Sequence, residues 1–346
     1  MMNTLKSWVW GLRVKINTVK SSIKNALHLN NIHPPVWVKA IIYLSPALIL
    51  LGIFTFYPII NAFRLVMYVG YMHVSDGAGN LVESITGYTI FGNFATILKT
   101  DNFLLPSSHT GSSVLLNTLA IVFISVPISV LLSLFISASL NSINKMKGFF
   151  QTIFFLPYIT NTLAIGLVFA YMFKSGSSGL VNQFLGIFGV EPLSWVERGA
   201  TYWRAMSVLI IFGVWDGMAF KIMVFLAGMQ GIDKQYYQAA AIDATPKWRI
   251  FSKITVPMIS PMIFYIIVTS FIGAFKTYTS VVAIFGDVGQ PDSANYTLKT
   301  IVFYIYDYIY SGENLSLAAA GSIILFAIIL VLTLIQMQLS KKRVHY

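Results

Sequence analysis

The chain contains no cysteine among its 346 residues, and only 10% of its residues are charged. The absence of cysteine excludes a disulfide framework and a thiolate metal site. The scarcity of charge, together with 56% hydrophobic residues, is unlike a soluble globular protein. The hydrophobic residues lie in continuous runs, whereas an outer-membrane β-barrel shows an alternating pattern. The composition therefore predicts a polytopic α-helical membrane protein.

Motifs for catalysis and nucleotide hydrolysis are also absent. No G-x-x-x-x-G-K-S/T segment occurs, so we expect no nucleotide to be hydrolysed on this chain. The sequence has no H-E-x-x-H and no G-x-S-x-G, and its five histidines lie outside the hydrophobic runs with no two spaced as metal ligands. We therefore predict that the chain is not an enzyme and that it binds no metal and no cofactor of its own.

Six hydrophobic runs are long enough to cross a bilayer, which takes about 20 residues in a helix. They predict an all-α fold with six transmembrane helices, over 40–64, 114–140, 149–173, 205–231, 262–285 and 315–339. Pro127 and Pro157 fall inside two runs, where neighbouring helices can bond the freed carbonyl groups. We expect one transmembrane domain over 36–346, in which the long segment 68–113 forms short helices or a small cap.

The basic residues lie on one predicted side of the membrane. The net charge is +11, and fifteen of the 23 Lys and Arg residues fall in 1–39, 141–148, 232–261 and the last six residues. Of the 12 acidic residues, only Asp233 and Asp243 lie there. By the positive-inside rule these segments and both termini are cytoplasmic, and the other loops are external. Membrane orientation thus explains the charge, and we predict no nucleic-acid partner.

Residues 1–35 predict a separate, basic amphipathic helix at the N-terminus. Leu5, Trp8, Leu12 and Ile16 belong to an apolar stripe at helical spacing, with basic residues on the other side. Such a helix lies on the cytoplasmic leaflet, where apolar burial and anionic lipid hold it. A basic tail without a fixed structure explains the same residues equally well. The segment lacks the cleavage pattern of a signal peptide.

The polar stretch 238–261, between the fourth and fifth runs, is the most informative part of the sequence. Its three consecutive alanines, 239–241, favour a helix and Pro246 suits the first turn of a second one, so we expect a bend near 243–246. The stretch resembles the EAA loop of binding-protein-dependent ABC transporter permeases, E-A-A-x-x-D-G-A, then after five residues F-x-x-I-x-L-P, and after three more P. The matching residues are Ala239, Ala240, Asp243, Phe251, Ile254, Pro257 and Pro261.

Four residues depart from that pattern: Gln238 replaces Glu, Ala244 replaces Gly, Thr245 replaces Ala and Val256 replaces Leu. The lost glycine matters because alanine rarely adopts a positive φ, so we expect the bend to use ordinary backbone angles or to move by one residue. In the family this loop, here 232–261, is the coupling helix that docks into a groove of the ATPase subunit. The resemblance implies that role for Gln238, Ala239, Ala240, Asp243, Ala244, Thr245, Phe251 and Pro257.

The same resemblance implies a MetI-like permease core in the inner (cytoplasmic) membrane of a prokaryote. The implied partners are a second homologous permease subunit, an ATPase dimer that holds ATP and Mg²⁺, an extracytoplasmic solute-binding protein and membrane lipid. The sequence is most similar to the carbohydrate-uptake class, so we expect ATP-driven import of a sugar or oligosaccharide. Two alternatives are the same machinery importing glycerol phosphate or a polyol, and an ATP-independent secondary transporter.

Charges inside the fourth and fifth runs indicate a path for the solute. A charge at the bilayer centre costs about 2.5–3.5 kcal/mol on insertion scales, so it must face a cavity or a partner. At i, i+3, i+4 and i+7 spacing, Asp216 shares one helix face with two glycines and a phenylalanine, and the fifth run has a face of small and hydroxyl residues. In carbohydrate permeases of the family the solute contacts come from these two spans. The predicted path residues are Gly213, Asp216, Gly217, Phe220, Ser270, Ala274 and Thr277.

Two simpler explanations of these residues stay open at the level of sequence. Glycine-rich faces also allow membrane helices to pack closely, without any solute between them. An ion pair of Asp216 with Lys221 or Lys276 would neutralise the charges internally.

Overall fold

The computed structural model describes residues 10, 13–19, 35–75, 81–100, 103–104, 106, 112–143, 145–312 and 314–340. The chain divides into two compact units, Met1–Asn61 and Ala62–Tyr346. In the first unit, residues 13–19 are helical. The predicted stripe residues Leu5, Trp8 and Leu12 lie outside the described residues, so the amphipathic helix over 1–35 stays a prediction.

The first long helical stretch contains a π turn. It consists of α1 (Val36–Leu51), the π turn Gly52–Phe56 and α2 (Tyr57–Leu65), and its 30 residues are long and apolar enough to cross a membrane. In the π turn the N–H of Tyr57 donates to the carbonyl of Gly52. Pro58 explains the widening, because its ring would collide with the carbonyl four residues earlier in a regular α-helix.

The predicted segment 68–113 contains β-strands, which the all-α prediction did not include. The strands are β1 (Tyr68–Val69), β2 (Met72–Ser75), β3 (Leu81–Ser84) and β4 (Gly87–Tyr88), and β1 pairs with β4 and β2 with β3, both antiparallel. The short helix α3 (Gly92–Lys99) follows. The amide of Asn93 donates to the carbonyls of Val66 and Tyr68 at 2.7 Å each, which ties α3 to the start of the hairpin.

The rest of the described chain is helical apart from its loops. Its helices are α4 (Val114–Ser142), α5 (Lys147–Ile159), α6 (Thr162–Met172), α7 (Leu180–Gly186), α8 (Tyr202–Gln230), α9 (Lys234–Ile242), α10 (Lys247–Ile250), α11 (Val256–Met258), α12 (Ser260–Phe275), α13 (Thr279–Phe285), α14 (Ile301–Ser311) and α15 (Leu315–Ser340). Among the described residues, four helical stretches are long and apolar enough to cross a membrane: 36–65, α4, α8 and α15. The number rises to six if each of two bent helix pairs is one span. These pairs are Lys147–Ile159 with Thr162–Met172, and Lys247–Met258 with Ser260–Phe275.

The predicted span over 149–173 consists of two helices, because the chain bends by 99° between α5 and α6. Thr160 is extended, with ψ of 152°. Asn161 then accepts hydrogen bonds from the backbone N–H groups of Leu163 at 2.9 Å and Ala164 at 3.3 Å. This N-cap begins a new helix, since Asn binds the N–H groups that have no partner in the first turn.

The predicted helix over 262–285 is also interrupted. Helix α12 ends at Phe275, and α13 begins at Thr279. The hydroxyl of Thr277 donates to the carbonyl of Ala274 at 2.7 Å, and the hydroxyl of Thr300 donates to the carbonyl of Thr277. The Thr300 hydroxyl thus satisfies a carbonyl within the break, and the Thr277 hydroxyl adds a second bond to the Ala274 carbonyl, which also accepts from the backbone N–H of Thr277.

Helix α8 lies at the centre of the second unit. It contacts α4, α5, α6, α12 and α13. Its side chains Met206, Leu209, Phe212 and Phe225 are at most 2% exposed. Residues of α8 between Phe212 and Phe225 are therefore surrounded by other helices, and the candidate site lies among them.

Candidate functional site

A cavity of about 210 Å³ lies among α4, α8 and α12. Gly213 and Gly217 of α8 contribute no side chains to it, which leaves space beside α4. Six of the seven predicted path residues line this cavity, and they are Gly213, Asp216, Gly217, Ser270, Ala274 and Thr277. The structure thus brings together residues from both predicted spans, and their role in transport stays a prediction.

Phe220, the seventh predicted residue, lies outside the cavity lining. Its ring stacks on Tyr158 of α5, with centroids 5.7 Å apart and planes at 22°. Lys221, one residue farther along α8, does line the cavity, so distance along the helix axis does not exclude Phe220. The helical spacing predicted a shared face, but the stacking partner on α5 holds the Phe220 ring away from the cavity.

Sequence reasoning missed the contribution of α4. Ser125, Ser129, Ser133 and Ser137 recur at every fourth residue and are at most 4% exposed. Ser125 and Ser129 line the cavity. Four serines at i, i+4 spacing in an apolar helix form a polar stripe, which is a signal that the sequence offered.

Lys221 is a buried cation at the cavity wall, with 7% of its surface exposed. Its ammonium donates to the hydroxyl of Ser129 and to the carbonyl of Gly217, both at 2.9 Å. A Cβ on Gly217 would lie 2.7 Å from the ammonium nitrogen, closer than a Cβ normally comes to another heavy atom, so the ammonium would have to move. Gly217 therefore provides both the acceptor and the space that hold Lys221.

Asp216 is half-buried and lines the same cavity. Within the described part of the chain, the only ion pair joins Lys299 to Asp307. Asp216 is thus not paired with Lys221 within 4 Å, and Lys276 is exposed at the end of α12. The internal ion pairs that the sequence left open are not formed as direct contacts.

The cavity combines few charges with several hydroxyls. Asp216 offers an acceptor, the Lys221 ammonium has one of its three N–H groups free of the two bonds described, and the side chains of Ser270 and Thr277 add hydroxyls. Small-molecule sites place a few polar groups on otherwise apolar walls, and Ile121, Val126 and Leu209 supply apolar wall here. The arrangement suits a neutral, hydroxyl-bearing solute.

The loop between α8 and α12 contains the predicted bend. Asp233 caps α9 by accepting from the backbone N–H of Gln235 at 2.9 Å. At the other end of α9, the N–H of Thr245 donates to the carbonyl of Ala240 at 3.0 Å, and the N–H of Ala244 to that of Ala241 at 3.1 Å. These two bonds are the Schellman motif, which normally places glycine at the position of Ala244.

Ala244 itself adopts the left-handed conformation, with φ of +48°. The expectation that the bend would avoid a positive φ or move by one residue is therefore wrong. The two Schellman bonds satisfy carbonyls at the end of α9, and this outweighs the steric cost of a Cβ in that region, about 1–2 kcal/mol.

The second half of the loop runs through α10, a π turn at Phe251–Thr255 and α11. The π turn precedes Pro257 by the same spacing that separates the first π turn from Pro58, and the same clash of a proline ring explains it. Tyr237 of α9 and Thr255 share a hydrogen bond, 3.1 Å between their oxygens. The two halves of the loop are thereby joined.

The predicted coupling residues divide by exposure. Ala240 is buried, Thr245, Phe251 and Pro257 are half-buried, and Gln238, Ala239, Asp243 and Ala244 are exposed. Between the exposed residues lies Ile242, which is 86% exposed and which sequence reasoning did not select. Ile242 lies between Ala241 and Asp243, which are exposed as well, at the C-terminal end of α9.

A family model described as the binding-protein-dependent transport system inner membrane component matches residues 129–345. The chain belongs to this family. The match begins at Ser129 on the cavity wall and includes the whole loop between α8 and α12. Membership of this family makes the chain a multi-pass membrane protein and a permease subunit of a transporter.

Two similar proteins match this family member over most of its length. The lactose transport system permease protein LacF of Rhizobium radiobacter is 29% identical over 333 residues, which are 94% of this chain and 99% of the relative. The arabinooligosaccharides transport system permease protein AraP of Bacillus subtilis (strain 168) is 27% identical over 303 residues, which are 86% and 87% of the two chains.

A solved structure shares the fold of this family member. It is the crystal structure of a bacterial alginate ABC transporter in complex with an alginate pentasaccharide-bound periplasmic protein. One of its chains matches with a TM-score of 0.69 and 21% identity, covering 88% of this chain and 94% of that chain. At this level of identity the likeness establishes the arrangement of the helices.

Proposed function

We propose that the chain is the transmembrane permease subunit of an ATP-driven importer that moves a sugar or oligosaccharide across the cytoplasmic membrane. The family match and the lactose and arabinooligosaccharide permeases among its relatives support this class of solute. The hydroxyl-lined cavity with its small residues is compatible with a sugar, whose ring faces are apolar and whose rim carries hydroxyls.

The main observation behind the proposal is that the two helices on either side of the coupling loop both line the cavity. Helix α8 lines the cavity and leads within three residues into α9, and α12, which also lines the cavity, directly follows α11. A force applied to the loop therefore acts on two walls of the cavity. Exposed Ile242 is the apolar contact at which an ATPase subunit would apply it.

The proposed role implies a membrane orientation and a set of partner subunits. With an even number of spans both termini lie on the same side of the membrane, and the distribution of Lys and Arg supports the cytoplasmic side for the termini and for the loop. The proposed partners are a second homologous permease, an ATPase dimer that binds ATP and Mg²⁺, and an extracytoplasmic binding protein. Closure of the ATPase dimer would rock the helices between inward and outward openings.

Uptake measurements test this function. In cells that lack this chain, its gene should restore ATP-dependent uptake of labelled lactose or arabinotriose. Restoration of sn-glycerol 3-phosphate uptake alone would favour the alternative solute, and uptake that survives ATP depletion would make the chain a secondary transporter. Failure to restore any uptake in the presence of its partners would exclude the proposal.

The substitution Asp216→Ala tests the cavity within the same assay. It removes the carboxylate acceptor, so we expect uptake to fall about tenfold or more while the amount of assembled complex is unchanged. Asp292→Ala is the matched control, because Asp292 is exposed and lies outside the cavity lining. Equal uptake by both variants would remove Asp216 from the solute path.

A further inference from the structure

A row of three tyrosines begins at the edge of the cavity. Thr277 lines the cavity, and the next residue is Tyr278. The ring of Tyr278 stacks on that of Tyr306 in α14, with centroids 4.3 Å apart and planes at 13°. The ring of Tyr306 is followed by that of Tyr310 at 6.2 Å and 31°. The row therefore connects the cavity with the C-terminal end of α14.

The row is held in place at its inner end. Tyr278 lies in the break between α12 and α13, where its backbone is outside any helix. The hydroxyl of Thr300 makes two hydrogen bonds. It donates to the carbonyl of Thr277 in the break, and it caps α14 by accepting from the N–H of Phe303. One residue thus fixes the register between the cavity edge and the first turn of α14.

The exposure of the rings increases outward along the row. Tyr278 is half-buried, Tyr306 is 39% exposed and Tyr310 is 81% exposed. Two other tyrosines of the same helix behave differently, because Tyr304 is 9% exposed and donates its hydroxyl to that of Tyr308 at 3.2 Å. Contacts within the chain thus account for the positions of Tyr304 and Tyr308. The other two tyrosines of α14, Tyr306 and Tyr310, are exposed on its surface.

We propose that Tyr278, Tyr306 and Tyr310 form a sugar-docking track that leads from the end of α14 to the cavity. This inference rests on the proposed sugar-import function. Aromatic rings are rigid apolar surfaces, and they match the apolar faces of sugar rings. The exposed ring of Tyr310 would receive a sugar unit first, and Tyr306 and Tyr278 would carry the same surface to Thr277.

Two substitutions of Tyr306 test the track in the assembled transporter, because one keeps the aromatic ring and the other keeps only an apolar side chain. Tyr306→Phe keeps the ring, so we expect its rate of labelled sugar uptake to stay within about twofold of wild type. Tyr306→Leu keeps an apolar side chain without the ring, and we expect a loss of about fivefold or more. The matched control is Ile309→Ala, which removes an exposed apolar side chain, 48% exposed, from the same helix. Its uptake should equal that of wild type.

Each other outcome overturns the proposal. Equal uptake by the Phe and Leu variants would mean that the ring is dispensable, as for a tyrosine that only lies at the membrane interface. A Leu variant with less assembled complex but normal uptake per complex would make the row a contact with the second permease. If wild type itself imports neither lactose nor arabinotriose, the proposed function fails, independently of the variants.

Thiol labelling supplies a readout that a structural role would not change. The chain has no cysteine, so Tyr310→Cys and Ile309→Cys each introduce one thiol into it. In the purified complex, the transported sugar at saturating concentration should slow labelling of Tyr310→Cys by a polar maleimide about fivefold, and should leave Ile309→Cys unaffected. Unchanged labelling of Tyr310→Cys would exclude sugar contact at the outer end of the track.

Discussion

The ammonium nitrogen of Lys221 lies 2.9 Å from the hydroxyl oxygen of Ser129, and this bond joins α8 to α4 across the cavity wall. Ser129 is 1% exposed and Lys221 is 7% exposed. A buried ammonium depends on its few acceptors, because the loss of one leaves an N–H group without a protein partner. The bond therefore holds two walls of the candidate site at a defined separation.

Removal of the Ser129 hydroxyl should reduce the stability of the assembled complex. We expect Ser129→Ala to destabilise the assembled complex by about 1–3 kcal/mol, since the ammonium keeps only the Gly217 carbonyl. Thermal unfolding of the purified complex measures this. Ser139→Ala is the control, because Ser139 is exposed on the same helix and its hydroxyl donates to the carbonyl of Phe135 within that helix. Equal effects of the two substitutions would show that the bond to Lys221 contributes nothing.

A methyl group at Gly217 should displace Lys221. The Cβ of Gly217→Ala would lie 2.7 Å from the ammonium nitrogen, whereas in Gly213→Ala the nearest atom would be 3.7 Å away. We expect the first substitution to destabilise the complex by about 1–3 kcal/mol and the second to be nearly neutral. The loss should shrink when Gly217→Ala is combined with Lys221→Met. A penalty that persists in the double variant would place the clash elsewhere.

A glycine at position 244 should stabilise the loop between α8 and α12. Ala244 holds a φ of +48°, and Ala244→Gly removes that steric cost while adding entropy to the unfolded chain. The net gain should be about 0.5–1 kcal/mol, seen as slower hydrogen exchange of the amides of 244 and 245. Ala241→Gly, inside α9, should instead destabilise the loop by about 1 kcal/mol. Faster exchange in Ala244→Gly would refute the strain argument.

A charge at Ile242 should weaken the contact with the ATPase. Ile242→Asp places a carboxylate on a side chain that is 86% exposed, so insertion and folding of the chain should be unaffected. Recovery of the ATPase with the affinity-purified permease should fall about tenfold. Ile187→Asp changes an isoleucine that is 77% exposed outside the loop and should leave recovery unchanged. Normal recovery with Ile242→Asp would exclude this face of the loop.

The sequence predicted the helical membrane class and the two-helix loop because both depend on local properties. Long apolar runs must form helices in a bilayer, and the alanines of α9 followed by Pro246 set the position of the bend. Six of the seven predicted path residues meet at one cavity because spacing along a helix determines its faces. The coupling and transport roles of these residues stay predictions for the experiments above.

The sequence did not reveal where helices break. Asn161 starts a new helix inside an apolar run, and Thr277 and Thr300 stabilise another break through a contact between distant residues. Whether a polar side chain caps a helix or lies along it depends on its neighbours in space. The break at Tyr278 matters most, because it places that ring between the cavity and α14.

By itself the sequence determined that this chain is a bundle of apolar helices with one basic loop of two short helices, since the bilayer leaves few backbone structures that satisfy their own hydrogen bonds. Only the tertiary structure decided that Lys221 bonds Ser129 and not Asp216, that Ala244 adopts a positive φ, and that Phe220 lies outside the cavity. These outcomes depend on packing between helices, where a few tenths of an ångström separate a contact from a clash.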